Sequence, residues 1–200
     1  MYKKRIKTII KKHKKWLDKK GGERADLQGV CLFGTKLEKT DLRYADLRHA
    51  DLWYVDLQGA DLRYADLRDV DLEGANLQGA NFQGANLEGA CLRGVDLQNA
   101  NLRDANLQSA DLINANPRGA ALENADLRGA NLDYSCLPLW CGSLTAHFDD
   151  RQLKQIAYHL VKAGLLSKNA SEGTKAELSK LIDFANEFHL AEECGLIKRE

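Results

Sequence analysis

From Asp41 to Arg68 the sequence reads DLRYADLRHADLWYVDLQGADLRYADLR, with leucine at every fifth residue. The same spacing extends from Leu27 to Leu137, where 21 of the 23 positions are leucine and the other two are Phe82 and Pro117. A small or slim side chain, mostly alanine, stands two residues before each of these positions, and aspartate or asparagine usually lies between the two. The repeating unit is therefore Ala-(Asp/Asn)-Leu-x-x, and it covers more than half of the chain.

A period of five matches neither regular element of secondary structure. Along an α-helix five residues turn through about 500°, so successive leucines would wind around the surface. In a flat strand an odd period sends alternate leucines to opposite faces. Both difficulties disappear if each unit is a very short strand followed by a corner, because every leucine then points to one central axis. Pro117 has no N–H to donate, so we expect its coil to be locally irregular.

The number of sides is indicated by a second period. The octapeptide DLRYADLR begins at Asp41 and again at Asp61, a separation of 20 residues. Four units of five residues would complete one turn of a square coil, and equivalent residues of successive coils would lie about 4.8 Å apart. A recent duplication would leave the same repeat in the sequence, so the spacing is also open to that explanation.

The tandem units resemble the bacterial pentapeptide-repeat family. This resemblance implies an all-β solenoid with α caps, a right-handed quadrilateral β-helix of about six 20-residue coils. The segment KHKKWL before the repeat and the segment LDYSCLPLWCGSL after it resemble a bacterial and phage-associated subgroup with N- and C-terminal helical caps. The resemblance implies a fold and brings no common activity with it.

Three regions follow from the bounds of the repeat. Residues 1–22 are predicted to be a basic amphipathic N-terminal capping helix over about residues 3–20, with its apolar side chains at three- and four-residue steps. Residues 23–137 are predicted to be the pentapeptide-repeat β-helix, and residues 138–200 a C-terminal helical cap. Both caps are expected because the open end of a solenoid exposes its apolar core.

The charge distribution leaves two interpretations of the N-terminal helix. Residues 1–22 contain ten Lys or Arg and one Asp, a net charge of +9, whereas residues 23–136 carry a net charge of −8. A basic amphipathic helix can lie on a membrane or bind DNA. We favour a cover for the first coil, because Gly21 and Gly22 join the helix directly to the repeat. Contact of residues 1–20 with DNA or a membrane is the less favoured alternative.

The segment after the repeat is predicted to close the other end. Leu139, Trp140 and Phe148 are candidates to cover the last coil or to form a homodimer contact, as C-terminal ends do in some proteins of the family that the sequence resembles. Two helices should follow, one ending at Gly164 and one running from about Lys175 to Cys194.

Composition and cysteine content indicate a cytoplasmic protein. Apolar residues make up 44% of the chain and charged residues 29%, and no run approaches the roughly 18 apolar residues of a membrane helix. The cysteines are odd in number and scattered, which favours reduced thiols over a disulfide framework; they are Cys31, Cys91, Cys136, Cys141 and Cys194.

The sequence predicts no enzyme activity, no cofactor and no metal site. The five histidines are dispersed, and the aspartates recur because a corner favours short polar side chains. Cys136, Cys141 and His147, with Cys194 as a fourth ligand, match no common zinc spacing, so inert cysteines are the preferred interpretation. Cys31 and Cys91 should lie three coils, or about 14 Å, apart, which is too far for a disulfide.

Aromatic residues mark the candidate interaction surface. Phe33, Trp53 and Tyr54 fall on one predicted face, and Tyr44 and Tyr64 stack on the opposite face. Exposed aromatic side chains are the usual anchors of interfaces. The alternative for Phe33 and Trp53 is that they receive the N-terminal helix or a symmetry mate.

Two functions are compatible with this surface. The first is a non-enzymatic scaffold that presents a rigid rod to an unknown protein partner. The second, implied by the resemblance to quinolone-resistance pentapeptide proteins, is a DNA mimic that binds type II topoisomerase (gyrase). The second is less favoured, because no loop interrupts the repeat and because arginines stand in the same units as aspartates and should neutralise them; these arginines are Arg43, Arg48, Arg63 and Arg68.

Overall fold

The computed structural model of the chain describes residues 2–132 and five isolated residues further on, His147, Ser171, Lys175, Ala176 and Ser179. The chain divides into two compact units, Met1–His147 and Phe148–Glu200. Within the described part of the first unit, one helix is followed by stacked coils. No helix among the described residues is long and apolar enough to cross a membrane.

Helix α1 comprises Tyr2–Leu17 and ends three residues before the predicted limit. Lys19 has a positive φ of 56°, which interrupts the helical conformation, and Gly22 has a φ of 93°. A Cβ atom at Gly22 would run into the carbonyl oxygen of Lys12, so only glycine lets the chain fold back closely along the helix. On the inner side of α1, Ile6 is 5% exposed and His13 is completely buried.

The coils are held together by isolated parallel bridges between residues that lie 20 apart, beginning with the pair of Asp26 and Asp46 and reaching Asn131. The N–H of Leu62 donates to the carbonyl of Asn81 at 2.7 Å, and the N–H of Asp61 donates to the carbonyl of Thr40 at 2.9 Å. Each residue therefore pairs one coil forward or one coil back. The predicted coil of four five-residue units is confirmed.

Each corner is a tight turn closed by one backbone hydrogen bond. The N–H of Ala65, for example, donates to the carbonyl of Leu62 at 3.1 Å. The residue two after each leucine adopts a positive φ throughout the series from Gly29 to Gly129. An Asp or Asn side chain supports the turn from the other end, as where Oδ1 of Asp71 accepts the N–H of Glu73 at 3.0 Å. This arrangement explains the short polar residue in the repeating unit.

The core is a single column of side chains inside the coils. Leu62 and Leu77 are 0% exposed and Leu92 is 1% exposed, as required if every leucine points to a common axis. Phe82 replaces leucine in one layer and is also fully buried. Each such side chain contributes about 1.5–3 kcal/mol of gross hydrophobic stabilisation. The alanine or valine of each unit from Ala45 to Ala130 is buried beside it and leaves room for the larger neighbour.

Pro117 disturbs its coil less than the sequence predicts. Asn116 still bridges to Asp96, and the N–H of Ala120 still donates to the carbonyl of Pro117 at 2.9 Å. In this unit Oδ1 of Asn116 is buried without a hydrogen-bond partner, whereas the equivalent oxygen of Asp111 accepts the N–H of Ile113. The proline is tolerated because it removes only one donor from the coil.

The described residues beyond the repeat are few. His147 extends the pairing, because its N–H donates to the carbonyl of Ala125 and its own carbonyl accepts the N–H of Leu127. In the second unit Lys175, Ala176 and Ser179 are helical, within the predicted second helix. The predicted end-cap residues Leu139, Trp140 and Phe148 lie outside the described residues, as do residues 133–137 and the cysteines after Cys91. The count of six coils and the C-terminal cap therefore stay predictions.

Candidate interaction surface

The first feature of the surface is a group of three exposed rings, Phe33, Trp53 and Tyr54, which we term the aromatic patch. The Phe33 and Tyr54 ring centroids are 6.2 Å apart at an interplanar angle of 85°, and Trp53 contacts Tyr54 at 6.2 Å. With helix α1 in place, Phe33 is 58% exposed, Trp53 40% and Tyr54 60%. The three rings therefore stay exposed beside the helix, and contact of Phe33 and Trp53 with a symmetry mate stays a prediction.

The second feature is a column of rings formed by Trp16, Tyr44 and Tyr64, which we term the tyrosine column. Tyr44 and Tyr64 are stacked, with centroids 5.4 Å apart and an interplanar angle of 11°. The ring of Trp16, from α1, meets the edge of Tyr44 at 6.4 Å. The predicted stacking of the two tyrosines is confirmed. Sequence reasoning placed Trp16 on the helix but missed its contact with the column.

The three tyrosines of the aromatic patch and the tyrosine column occupy the left-handed corner position. Their φ angles are 62° at Tyr44, 50° at Tyr54 and 58° at Tyr64. For a bulky side chain this conformation is unusual and carries a backbone cost. Ten of the 21 equivalent corners from residue 29 to residue 129 are glycine, which adopts the conformation without that cost. A tyrosine at this position therefore needs a compensating role for its ring.

Glycine in the next coil makes room for two of these rings. A Cβ atom added to Gly74 would lie 2.5 Å from the Tyr54 ring, and one added to Gly84 would lie 2.5 Å from the Tyr64 ring. Each tyrosine thus lies over a glycine 20 residues later. Sequence reasoning missed this pairing, although comparing residues 20 apart would have found it.

Arginines and aspartates of the same unit form two-pronged ion pairs. Nε and Nη2 of Arg48 donate to the Asp46 carboxylate at 2.9 and 2.6 Å, and Asp46 is only 6% exposed. The hydrogen bond from Arg48 holds the pKa of Asp46 below its usual range, against the opposing effect of burial. Equivalent pairs occur at Asp41 with Arg43, Asp61 with Arg63, Asp66 with Arg68 and Asp126 with Arg128. The predicted local neutralisation is confirmed.

Helix α1 is attached to the coils through His13. Its Nδ1 accepts the N–H of Ala25 at 3.0 Å, and its ring stacks on Trp16 at 5.7 Å. Because Nδ1 is an acceptor, the imidazole is neutral, and burial lowers the pKa of His13. Ala25 is the first residue of the first coil. At later corners the equivalent N–H donates to a carbonyl of the preceding unit, and no unit precedes Ala25. The histidine supplies that acceptor.

The described residues offer little for catalysis. His49 lies 3.6 Å from Asp69, and both side chains are exposed. One possible ligand set was not foreseen: ligand atoms of Asp71, Glu73 and Cys91 lie within 4.8 Å of one another. Burial raises the pKa of the Cys91 thiol, which disfavours the thiolate that a metal ion needs. Cys31 and Cys91 are both free.

Comparison with solved structures gives several repeat proteins. A pentapeptide repeat protein from Nostoc PCC 7120 is 38% identical, covering 55% of this chain and 84% of its own, with a TM-score of 0.31. A pentapeptide repeat protein from the Arabidopsis thaliana thylakoid lumen is 24% identical. The match covers 77% of this chain and 89% of that protein, with a TM-score of 0.30. QnrB1, a plasmid-mediated fluoroquinolone resistance protein, is 16% identical. The match covers 69% of this chain and 84% of QnrB1, with a TM-score of 0.28.

The family assignment rests on the sequence of the repeat. No curated protein matches the chain. The family model for pentapeptide repeats, which spans eight copies of the unit, matches residues 40–79, 60–99, 80–116 and 100–137. These stretches overlap in steps of about one coil and include most of the bridged residues, and members of the family form right-handed quadrilateral β-helices. The chain belongs to the pentapeptide-repeat family.

Proposed function

We propose that the protein is a non-enzymatic interaction module, and that the aromatic patch of Phe33, Trp53 and Tyr54 is the anchor for a protein partner. The observation that carries the proposal is the high exposure of three adjoining rings on a rigid backbone. Aromatic residues that are already ordered bury a large area on binding at a small entropic cost.

The test is affinity capture from the native host with two matched variants. The first combines Phe33→Gln, Trp53→Gln and Tyr54→Asn, in which asparagine keeps a residue type found at left-handed corners of this chain, such as Asn99. The second, Tyr44→Asn with Tyr64→Asn, removes rings from the opposite face. A partner of the patch is retained by the second variant and lost by the first. A partner lost equally from both, or from neither, would contradict the assignment to this face.

The gyrase-binding DNA mimic is less well supported. The repeat region has a net charge of −8, but several of its aspartates, such as Asp46 and Asp61, are neutralised by the arginine of the same unit. The assay is DNA supercoiling by gyrase, with and without the purified protein and a fluoroquinolone. We expect no change. Inhibition, or protection against the drug, would make the mimic the better proposal.

Homodimerisation through Leu139, Trp140 and Phe148 is part of the same proposal. The motivation is the cluster of apolar residues directly after the repeat. Light scattering of the full chain would show a dimer, and the Trp140→Gln variant should shift it to a monomer. A wild-type protein that is monomeric at high concentration would rule out this contact. A cytoplasmic location is likewise proposed, on composition alone.

A further inference from the structure

Helix α1 uses its two sides for different purposes, so covering the coil and binding a partner are not alternatives. Its inner side is occupied, since Ile6 and His13 are buried and His13 accepts the N–H of Ala25. A helix that lies in a membrane interface needs a free apolar side to insert. That side is already used here, which argues against a lipid surface as the partner of this helix.

The outer side of α1 is strongly basic and exposed. Every basic side chain described between residues 5 and 20 is exposed: Arg5, Lys7, Lys11, Lys12, Lys14, Lys15, Lys19 and Lys20. Among the described residues, only Lys12 of this set forms an ion pair, with Glu23 at 3.2 Å. Most coil arginines, by contrast, pair with a carboxylate, which is an aspartate in most cases and Glu123 at Arg103. The uncompensated positive charge of the first unit is therefore concentrated on the helix.

This concentration is unfavourable for the helix alone. Lys7, Lys11 and Lys15 follow one another at four-residue steps, and like charges at that spacing repel and destabilise a helix. At a rise of 1.5 Å per residue, the three lysines span about 12 Å along one line. A duplex nucleic acid carries one negative charge per about 1.7 Å of its axis, so the row faces several phosphates at once.

We propose that the outer side of α1 binds the phosphate backbone of duplex nucleic acid without sequence specificity. Lys7, Lys11 and Lys15 form the centre of this surface. The groove of about 380 Å³ between the helix and the first coil does not extend this surface, because Glu23 and Asp26 line it beside the basic residues and Glu23 pairs with Lys12. The net charge of −8 on the repeat repels a polyanion from the coil faces and directs it to the helix.

The experiment measures binding of the full-length protein to a fluorescent 20-base-pair duplex by anisotropy, from 50 to 200 mM NaCl. The test variant combines Lys7→Gln, Lys11→Gln and Lys15→Gln, since glutamine keeps helix propensity and the buried contacts are untouched. The control combines Lys39→Gln, Arg93→Gln and Arg118→Gln, which remove the same charge from exposed positions on the coils. Circular dichroism verifies that both variants keep the wild-type helix content.

We expect salt-sensitive binding by the wild-type protein and the control, and at least about tenfold weaker binding by the test variant. The slope of log affinity against log salt should fall by about three, one for each lost contact. Equal binding by the test variant and the control would overturn the proposal, as would no binding at 50 mM NaCl. Tighter binding to a 20-nucleotide single strand, or binding only to phosphatidylglycerol vesicles, would also overturn it.

Discussion

At the scale of single residues, the left-handed corner decides which side chains the surface can display. Glycine, asparagine and aspartate tolerate this conformation, and they fill most of the corners. Tyr44, Tyr54 and Tyr64 do not fit this rule. The rings of Tyr54 and Tyr64 each lie against a glycine of the following coil. A tyrosine at one corner therefore restricts the size of the side chain at the equivalent corner of the next coil.

This restriction predicts different effects for two alanine substitutions at corners with the same φ of 65°. Gly79→Ala should reduce the free energy of unfolding by about 1–2 kcal/mol, because alanine is strained in the left-handed region. Gly74→Ala carries the same strain and in addition displaces the Tyr54 ring from its position against the coil. Near-ultraviolet circular dichroism should therefore change for Gly74→Ala and not for Gly79→Ala.

The comparison has a clear contrary outcome. If both variants kept the wild-type near-ultraviolet spectrum while losing the same stability, the Tyr54 ring would not depend on Gly74. The double variant Gly74→Ala with Tyr54→Asn serves as the control, because no ring remains to be displaced and only the backbone strain should be measured.

Sequence reasoning at this scale succeeded where one residue type has one role. The buried leucines and the Arg–Asp pairs follow from the identity and spacing of the residues within a unit. The left-handed corners were missed, because glycine, tyrosine, asparagine and lysine share that position and no single residue type marks it. The acceptor role of His13 was missed for a related reason, since apolar spacing on a helix indicates burial and not the atom that a buried ring will contact.

At the scale of elements, α1 and the first coil are joined by a contact that depends on pH. Burial keeps His13 neutral by lowering its pKa from the ordinary value of 6.5; the charge of Asp41 and a backbone hydrogen bond at Arg43 oppose this effect, and the charges of Arg43 and Arg24 add to it. The unfolded chain therefore takes up a proton at a higher pH than the folded one. The stabilising contribution of the contact is complete above pH 6.5 and is lost as the pH falls below it.

The His13→Asn variant tests this dependence. Asparagine can still offer an oxygen to the N–H of Ala25 but does not titrate in this range. Between pH 7.5 and 5.5 the midpoint of thermal unfolding should fall further for the wild-type protein than for the variant. Parallel curves for the two proteins would show that His13 does not govern the attachment. His13→Ala, without an acceptor, should be less stable than either at pH 7.5 by about 1–3 kcal/mol.

The bounds of the helix were less predictable than its existence. The amphipathic spacing correctly indicated a helix before the repeat, with its apolar side inward. Its end was predicted at residue 20 and lies at Leu17, since the chain turns back at Lys19 in order to reach Ala25. That turn depends on where the first coil begins in space, which local sequence does not specify.

At the scale of the whole molecule, each coil is stabilised by its neighbours on both sides, as in other solenoids. Leu77 lies in the middle of the stack and is fully buried, whereas Leu37, near the helical end, is 7% exposed. Leu77→Ala should lower the free energy of unfolding by about 2–5 kcal/mol, and Leu37→Ala by less. Glu88→Ala, at an exposed position, should change it by no more than about 0.5 kcal/mol.

Urea unfolding, followed by circular dichroism, measures all three differences. A loss of stability at Leu77 no greater than that at Glu88 would contradict the single buried column. The whole-molecule architecture was the most predictable part of the protein, because a period of five can bury all its leucines in few ways. The partner was the least predictable, because the same coil supports any pattern of outward residues.

The 20-residue register also governs how the length of this protein can change. Removing one unit of five residues would leave the leucines inside but would rotate everything downstream by a quarter-turn, so that Tyr44 and Tyr64 no longer fell on one side if the deletion lay between them. Removing four units would shorten the rod and restore every alignment. Growth or loss by complete coils is therefore the route by which such a surface can be resized while its existing arrangement survives.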